Sequence, residues 1–246
     1  MRDEVILKAR SFDNDGAIRR LVEEDLKELK VFRAKYPFAE KPDSIETLTP
    51  DDIFRADKGE IGDFFRYIEY RLKYLGELKT YPKVYIEIRS HLDLFKDLLY
   101  ISVDRKRSLA DKVDAPWGKI KGLGGDSHIA KKIIFCLNYE TGSVVPIFST
   151  SHMEYFLDTI QEEPWSPINY ATMSLGEKYE ALTEEILRAK ETSPITRSWE
   201  ITYFCRFLYE CYTPPKIIRG STPKEYEGRY GEKEKIRRIH WTPKRP

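Results

Sequence analysis

The sequence predicts a mainly α-helical globular body, in which two helices are joined by a glycine hairpin, followed by a basic carboxyl-terminal tail. Three observations carry that prediction. Apolar residues recur at the three-and-four spacing of a helix face through most of the first 213 residues. A Pro- or Gly-containing breaker separates one periodic stretch from the next. After Pro214-Pro215 the apolar period stops, and charge, Gly and Pro take over.

The elements follow in order. Ile18, Leu21, Val22, Leu26, Leu29 and Phe32 share one stripe after the polar segment Asp13-Asn14-Asp15-Gly16, which gives a capped amphipathic helix to about Tyr36. The prolines of Tyr36-Pro37-Phe38 and Lys41-Pro42 mark a connection. Thr49-Pro50-Asp51-Asp52 then opens a short second helix, because Thr caps and proline suits the first helical position. Residues 60 to 75 form a third, with Ile61, Phe64, Phe65, Ile68, Leu72 and Leu75 on one side and Gly76 closing it. Over residues 79 to 90 the alternation Val84-Tyr85-Ile86-Glu87-Ile88 suits a strand, whereas His91 to Val103 has the helical period. One helix through the whole stretch is the favoured solution.

From Ser108 a helix is expected to about Pro116-Trp117, then the hairpin, then a helix from about Asp126 to Asn138. The turn Tyr139-Glu140-Thr141-Gly142 and the apolar run Val144-Val145-Pro146-Ile147-Phe148 precede a helix from Ser149 to Ile160. Two long amphipathic segments, about 175 to 190 and 197 to 212, complete the body. The expected division is therefore a body over residues 1 to 213, with the hairpin at 117 to 132, and a tail over 214 to 246.

A chain of 246 residues can bury a real core, and 41% hydrophobic with 34% charged residues is a globular composition. One Gln and three Asn beside many Lys and Glu point to a thermophilic source. Cys136, Cys205 and Cys211 form no C-x-x-C pair and read as reduced core thiols. The start MRDEVILKAR lacks a signal peptide's apolar stretch, and no run of about 18 apolar residues occurs, so a cytoplasmic location without membrane partners is expected. The formal charge of +1 conceals an asymmetry: residues 216 to 246 hold ten Lys or Arg against four Glu, leaving the rest of the chain net acidic.

The hairpin region, Trp117 to Ile134, concentrates the functional signal. Glycines let the backbone turn tightly and approach a ligand oxygen, and the following helix points its positive amino end at the same place. Gly122, Gly124, Gly125 and Ser127 would offer that main-chain surface, while Lys119, Lys121, Lys131 and Lys132 would add Coulombic attraction. Such a surface holds phosphates without reading bases.

A helix, then apolar-x-Gly-apolar-Gly, then a helix resembles the helix-hairpin-helix motif of DNA repair proteins, in particular that of DNA glycosylases. The likeness covers about residues 108 to 157, with Val145-Pro146-Ile147-Phe148-Ser149-Thr150-Ser151-His152-Met153 in the place of the family's proline-containing segment. The family's catalytic aspartate follows that proline. Here Ser149 and Thr150 stand instead, and a hydroxyl cannot supply the charge that stabilises an oxocarbenium-like sugar. Ala130 to Cys136, Pro146-Ile147-Phe148 and Ser174-Leu175-Gly176-Glu177-Lys178-Tyr179 also look like non-GTPase regions of archaeal McrB-like, modification-dependent restriction proteins. The chain lacks the G-x-x-x-x-G-K-[ST] loop of a motor.

These resemblances imply a DNA-binding protein that grips the phosphate backbone, in DNA repair or modification-dependent restriction, with DNA and a nuclease or motor protein as partners. The alternative is a base-excision glycosylase that flips a damaged or modified base, for which Glu154, Asp158 and His152 are the candidate catalytic groups. No cofactor is implied. The four histidines share no ligand spacing with one another or with Cys or Asp, so no metal site is expected. The aromatic and basic run Phe64 to Tyr74 offers a base-stacking face, although its helical spacing favours a core role. Pro42-Asp43 with Glu87-Ile88-Arg89 is a chance echo of a nuclease motif.

Overall fold

The structure, a computed structural model, describes residues 1–78, 82–165 and 167–214. The basic tail lies outside the described residues. Helix dominates the body, and a two-stranded ribbon supplies its strand content.

Helix α1, Asp3–Ser11, adds an element that the sequence reading left unassigned. It buries Val5 and Ala9, and the Arg2 main-chain N–H donates to the Ile160 carbonyl at 2.8 Å. Helix α2, Ala17–Lys35, begins where expected. The Asp13 carboxylate accepts from the Ile18 and Arg19 N–H groups at 2.8 Å each, satisfying donors that the first turn leaves open.

Helix α3, Pro50–Ile53, starts at Thr49 as predicted, with the Asp52 carboxylate accepting from the Thr49 N–H at 2.9 Å. Strands β1, Phe54–Arg55, and β2, Glu60–Ile61, pair antiparallel. The expected third helix is broken into α4, Asp63–Arg66, a wide turn over Tyr67–Arg71 and a tight one over Lys73–Leu75. Two buried side chains take its backbone groups: Asp25 accepts from the Tyr74 N–H at 2.6 Å, and the Lys132 ammonium donates to the Leu72 carbonyl at 2.7 Å and to that of Gly76. A regular helical ladder cannot also use them.

The stretch after residue 81 is helical, which removes the strand alternative. It forms α5, Pro82–Ser90, and α6, Leu92–Val103, with a kink at His91, whose N–H still donates to Glu87 and Ile88. Tyr85 and Ile88 are buried three apart, and Ile86 faces solvent, so the helical period prevails over the alternation. The nuclease-like echo has no strand beneath it.

Helix α7, Leu109–Val113, is much shorter than expected. Pro116 disfavours helix at the residue before it, and the Asp114 carboxylate turns to accept from the Gly176 N–H at 2.7 Å. Helices α8, His128–Asn138, and α9, Thr150–Ile160, agree with the prediction within about two residues. The last two expected segments become α10, Leu175–Glu191, α11, Pro194–Arg197, and α12, Ile201–Cys211. A side chain at Gly176 would overlap the Ala110 carbonyl, which is how closely α10 approaches α7.

Helix α8 is buried on every side from Ile129 to Asn138 and forms the axis of the body. Phe64 and Phe65 join Phe32, Phe38 and Phe95 in the core, so the run from Phe64 to Tyr74 is structural, with Tyr70 on its outside. Cys136 and Cys205 are buried free thiols and Cys211 is half-buried. Among the described residues no helix is long and apolar enough to cross a membrane.

Candidate nucleic-acid interface

The segment between α7 and α8 is a loop held by three buried side chains. Trp117 lies in the core and its indole N–H donates to the Lys112 carbonyl at 2.9 Å, while Ile120 and Leu123 are fully buried. The residues between these anchors point outward: Lys119, Lys121, Gly122, Gly124 and Gly125 are all exposed. Alternation of apolar anchors with Lys and Gly thus pins the loop from below and bares its backbone above.

Two glycines are required by conformation and space. Gly122 has φ +93°, and a Cβ there would meet Val84 at 2.8 Å, which seats the loop against the first turn of α5. A Cβ on Gly124 would come within 2.8 Å of the Gly118 Cα, so the two backbones touch. Gly125 has φ +64° and open space around it. The amino ends of α5 and α8 therefore adjoin the same loop.

The amino end of α9 adjoins it as well. Asp126, one residue beyond the glycines, accepts from the Thr150 N–H at 3.3 Å and from the Thr150 hydroxyl at 3.2 Å. Its other oxygen is ion-paired with Lys131. Sequence reasoning passed over Asp126. Its signal was an acidic residue just before a helix start, which reads as a local cap but here caps a different helix. The amino end of α8 receives no side-chain cap from Ser127, which is half-buried.

Lys131 and Lys132 are a correction to the expected interface. Their exposures are 1% and 0%, so neither reaches a phosphate from this position. Lys131 binds Asp126, donates to the Phe148 carbonyl at 3.2 Å and lies 4.7 Å from the centre of the Tyr179 ring. Burial lowers the pKa of both lysines, and for Lys132 the carboxylates of Asp25 and Glu69 oppose that shift. The apolar run Ile133 to Leu137 after them carried the warning, because a helix with no polar face is an interior helix.

The catalytic candidates all lie on α9, and two of them are engaged by tyrosine hydroxyls. His152 is half-buried with its Nδ1 3.1 Å from the Tyr209 hydroxyl, and burial, then nearby His128, lower its pKa. Glu154 accepts from the Tyr170 hydroxyl. Asp158 is exposed, two helical turns beyond the end of α9 that meets the loop. Among the described residues no group of three or more His, Cys, Asp or Glu side chains is arranged to hold a metal ion.

No family model matches the chain, and no curated protein or solved structure does either.

Proposed function

We propose that this chain binds DNA through the loop between α7 and α8, gripping the phosphate backbone with Lys119 and Lys121 and with the main-chain N–H groups of Gly122, Gly124 and Gly125 and the start of α8. The observation that carries this reading is the exposed glycine backbone around buried Ile120 and Leu123, beside a helix amino end that the Ser127 side chain does not cap. On this reading the loop does the work of a helix-hairpin-helix, although α7 contributes only five residues. Phosphate contacts of this kind position a duplex without reading its sequence. DNA repair or modification-dependent restriction is the setting that suits it, with a nuclease or motor partner supplying chemistry. Glu154 is engaged by the Tyr170 hydroxyl and His152 by that of Tyr209, which gives the glycosylase alternative no support.

Binding of the full chain to a labelled duplex across a salt series tests the proposal. Two lysine contacts predict a slope of log affinity against log salt of about −2, and Lys121→Glu is expected to weaken binding roughly tenfold and lower that slope by about 1. No binding at low salt, or binding unchanged by Lys121→Glu, would overturn it.

A further inference from the structure

At the far end of α8 from the glycine loop lies a cavity of about 460 Å³, between α2, the connection from α6 to α7, and the turn after Asn138. Four cationic side chains line it, Arg33, Arg105, Arg107 and Lys112, against the single carboxylate of Glu140. Val103, Leu109 and Leu137 give it an apolar wall.

Lys112 is the built part of this site. It is 6% exposed, and its ammonium donates to the Asn138 side-chain oxygen at 2.7 Å. Asn138 is itself locked, since its amide nitrogen donates to the Ser102 and Ile134 carbonyls at 2.9 and 2.8 Å. Among the described residues no carboxylate lies within ion-pair distance of Lys112, so a buried cation faces a neutral partner. Burial disfavours such a charge and lowers the pKa of Lys112, while the nearby Asp104 carboxylate opposes that shift in part. A bound anion would compensate it.

The arginines complete the arrangement. Arg33 pairs with Glu40, and its Nη1 lies 3.1 Å from Glu140, buried without an aligned hydrogen bond. Arg105 and Arg107 stand exposed on the loop after α6, and Arg107 pairs with Asp104 at 3.5 Å. Planar guanidinium forks suit phosphate oxygens, and with Glu40, Glu140 and Asp104 set against the four cations a surplus of positive charge remains to attract an anion. The volume exceeds that of inorganic phosphate several-fold and falls within the range of small-molecule sites.

We propose that this cavity binds an organic phosphate of mononucleotide size, its phosphate held by Lys112, Arg105 and Arg107 and its apolar portion against Val103, Leu109 and Leu137. The same phosphomonoester chemistry is presented by a free nucleotide and by the 5′-phosphorylated end of a strand. The site shares no residue with the glycine loop, so it stands or falls apart from the function proposed above.

Calorimetric titration of the full chain with adenosine 5′-monophosphate, adenosine, inorganic phosphate, and 5′-phosphoryl and 5′-hydroxyl forms of one short oligonucleotide tests it. The monophosphate is expected to bind saturably, inorganic phosphate more weakly, and adenosine not at all. Arg105→Glu with Arg107→Glu, and separately Lys112→Met, are expected to weaken the monophosphate at least tenfold, while Lys121→Glu leaves it unchanged. A 5′-phosphoryl oligonucleotide that binds tighter than the monophosphate, and loses that advantage as the 5′-hydroxyl form, identifies a strand end as the ligand; the reverse order identifies a free nucleotide. The exposed arginine pair keeps the test decisive if Lys112→Met fails to fold. Absence of saturable binding by every phosphate probe to about 10 mM, where a contact is worth less than about 3 kcal/mol, overturns the proposal, as does equal binding of adenosine and its monophosphate.

Discussion

The Asp126 carboxylate accepts from the Thr150 main-chain N–H at 3.3 Å, joining the end of the glycine loop to the first turn of α9. The same carboxylate is the counter-ion of the buried Lys131. One side chain thus closes a helix end and neutralises an interior cation, and both tasks depend on its charge.

Replacing Asp126 should therefore be more damaging than its partial exposure suggests. Removing one partner of a buried ion pair leaves the other charge uncompensated, so Asp126→Ala is expected to cost about 3 kcal/mol. Asp126→Asn keeps an acceptor for Thr150 and should cost less. Urea unfolding followed by circular dichroism measures both. An Asp126→Ala protein as stable as the parent would remove Asp126 from the role given to it here.

Three of the four loop glycines, Gly122, Gly124 and Gly125, differ in what they forbid. Gly124→Ala meets the Gly118 backbone and Gly122→Ala meets Val84 at φ +93°, whereas Gly125→Ala meets nothing but carries a left-handed φ of +64°. Gly125→Ala should cost about 1 kcal/mol, the usual penalty of a side chain in that conformation, and the other two should each cost more. Denaturation midpoints of the three variants give the order directly. Finding Gly125→Ala the worst of the three would contradict the packing described.

Much of the body was legible because its signals are local. The polar segment from Asp13 and the Thr49-Pro50 pair announced helix starts, and a carboxylate does cap each first turn, that of Asp13 in α2 and that of Asp52 in α3. The features that sequence misjudged arise from distant residues. The third helix breaks because Asp25 and Lys132 capture its backbone, and α7 stops short because Asp114 serves α10. Lys131 and Lys132 looked like phosphate ligands since nothing in their own neighbourhood names the carbonyls and carboxylates that receive them. The cavity around Lys112 was equally hidden, because Arg33 and the apolar wall of Leu137 come from α2 and α8, far in the chain from Arg105, Arg107 and Lys112.

Asp25 makes stability depend on pH in the acid range. It is buried, and that burial raises its pKa from 3.8 to about 6 despite its bond from the Tyr74 N–H and the nearby Lys132. The unfolded chain releases this proton near 3.8 and the folded chain near 6, so in that window the folded state binds more protons and loses stability as pH rises. Above about 6 the effect is complete. Asp25→Asn, which retains an acceptor for Tyr74, is expected to gain on the parent by up to about 3 kcal/mol between pH 4 and pH 6.5. Urea unfolding at intervals across that range checks it, and parallel curves for parent and variant would refute it.

Lys132 acts in the opposite sense at alkaline pH. Burial lowers its pKa from 10.5 to about 8, so between those values the unfolded chain holds a proton that the folded chain has released. The contribution of Lys132 therefore rises with pH through that window, opposed from about pH 9 by the buried Cys136 and Cys205 thiols and from about pH 10 by the buried tyrosines, whose pKa values burial raises. Lys132→Met removes the rise and also strips donors from the Leu72 and Gly76 carbonyls, leaving acceptors buried without partners. The variant is expected to be less stable than the parent at pH 7 by about 2–4 kcal/mol and to fall further behind from pH 8 to pH 10. Because Lys132 has no exposure, its effect on duplex affinity at a temperature where the variant is folded should be small, in contrast to Lys121→Glu. A tenfold loss of duplex binding by a fully folded Lys132→Met protein would show that the buried ammonium reaches the DNA after all.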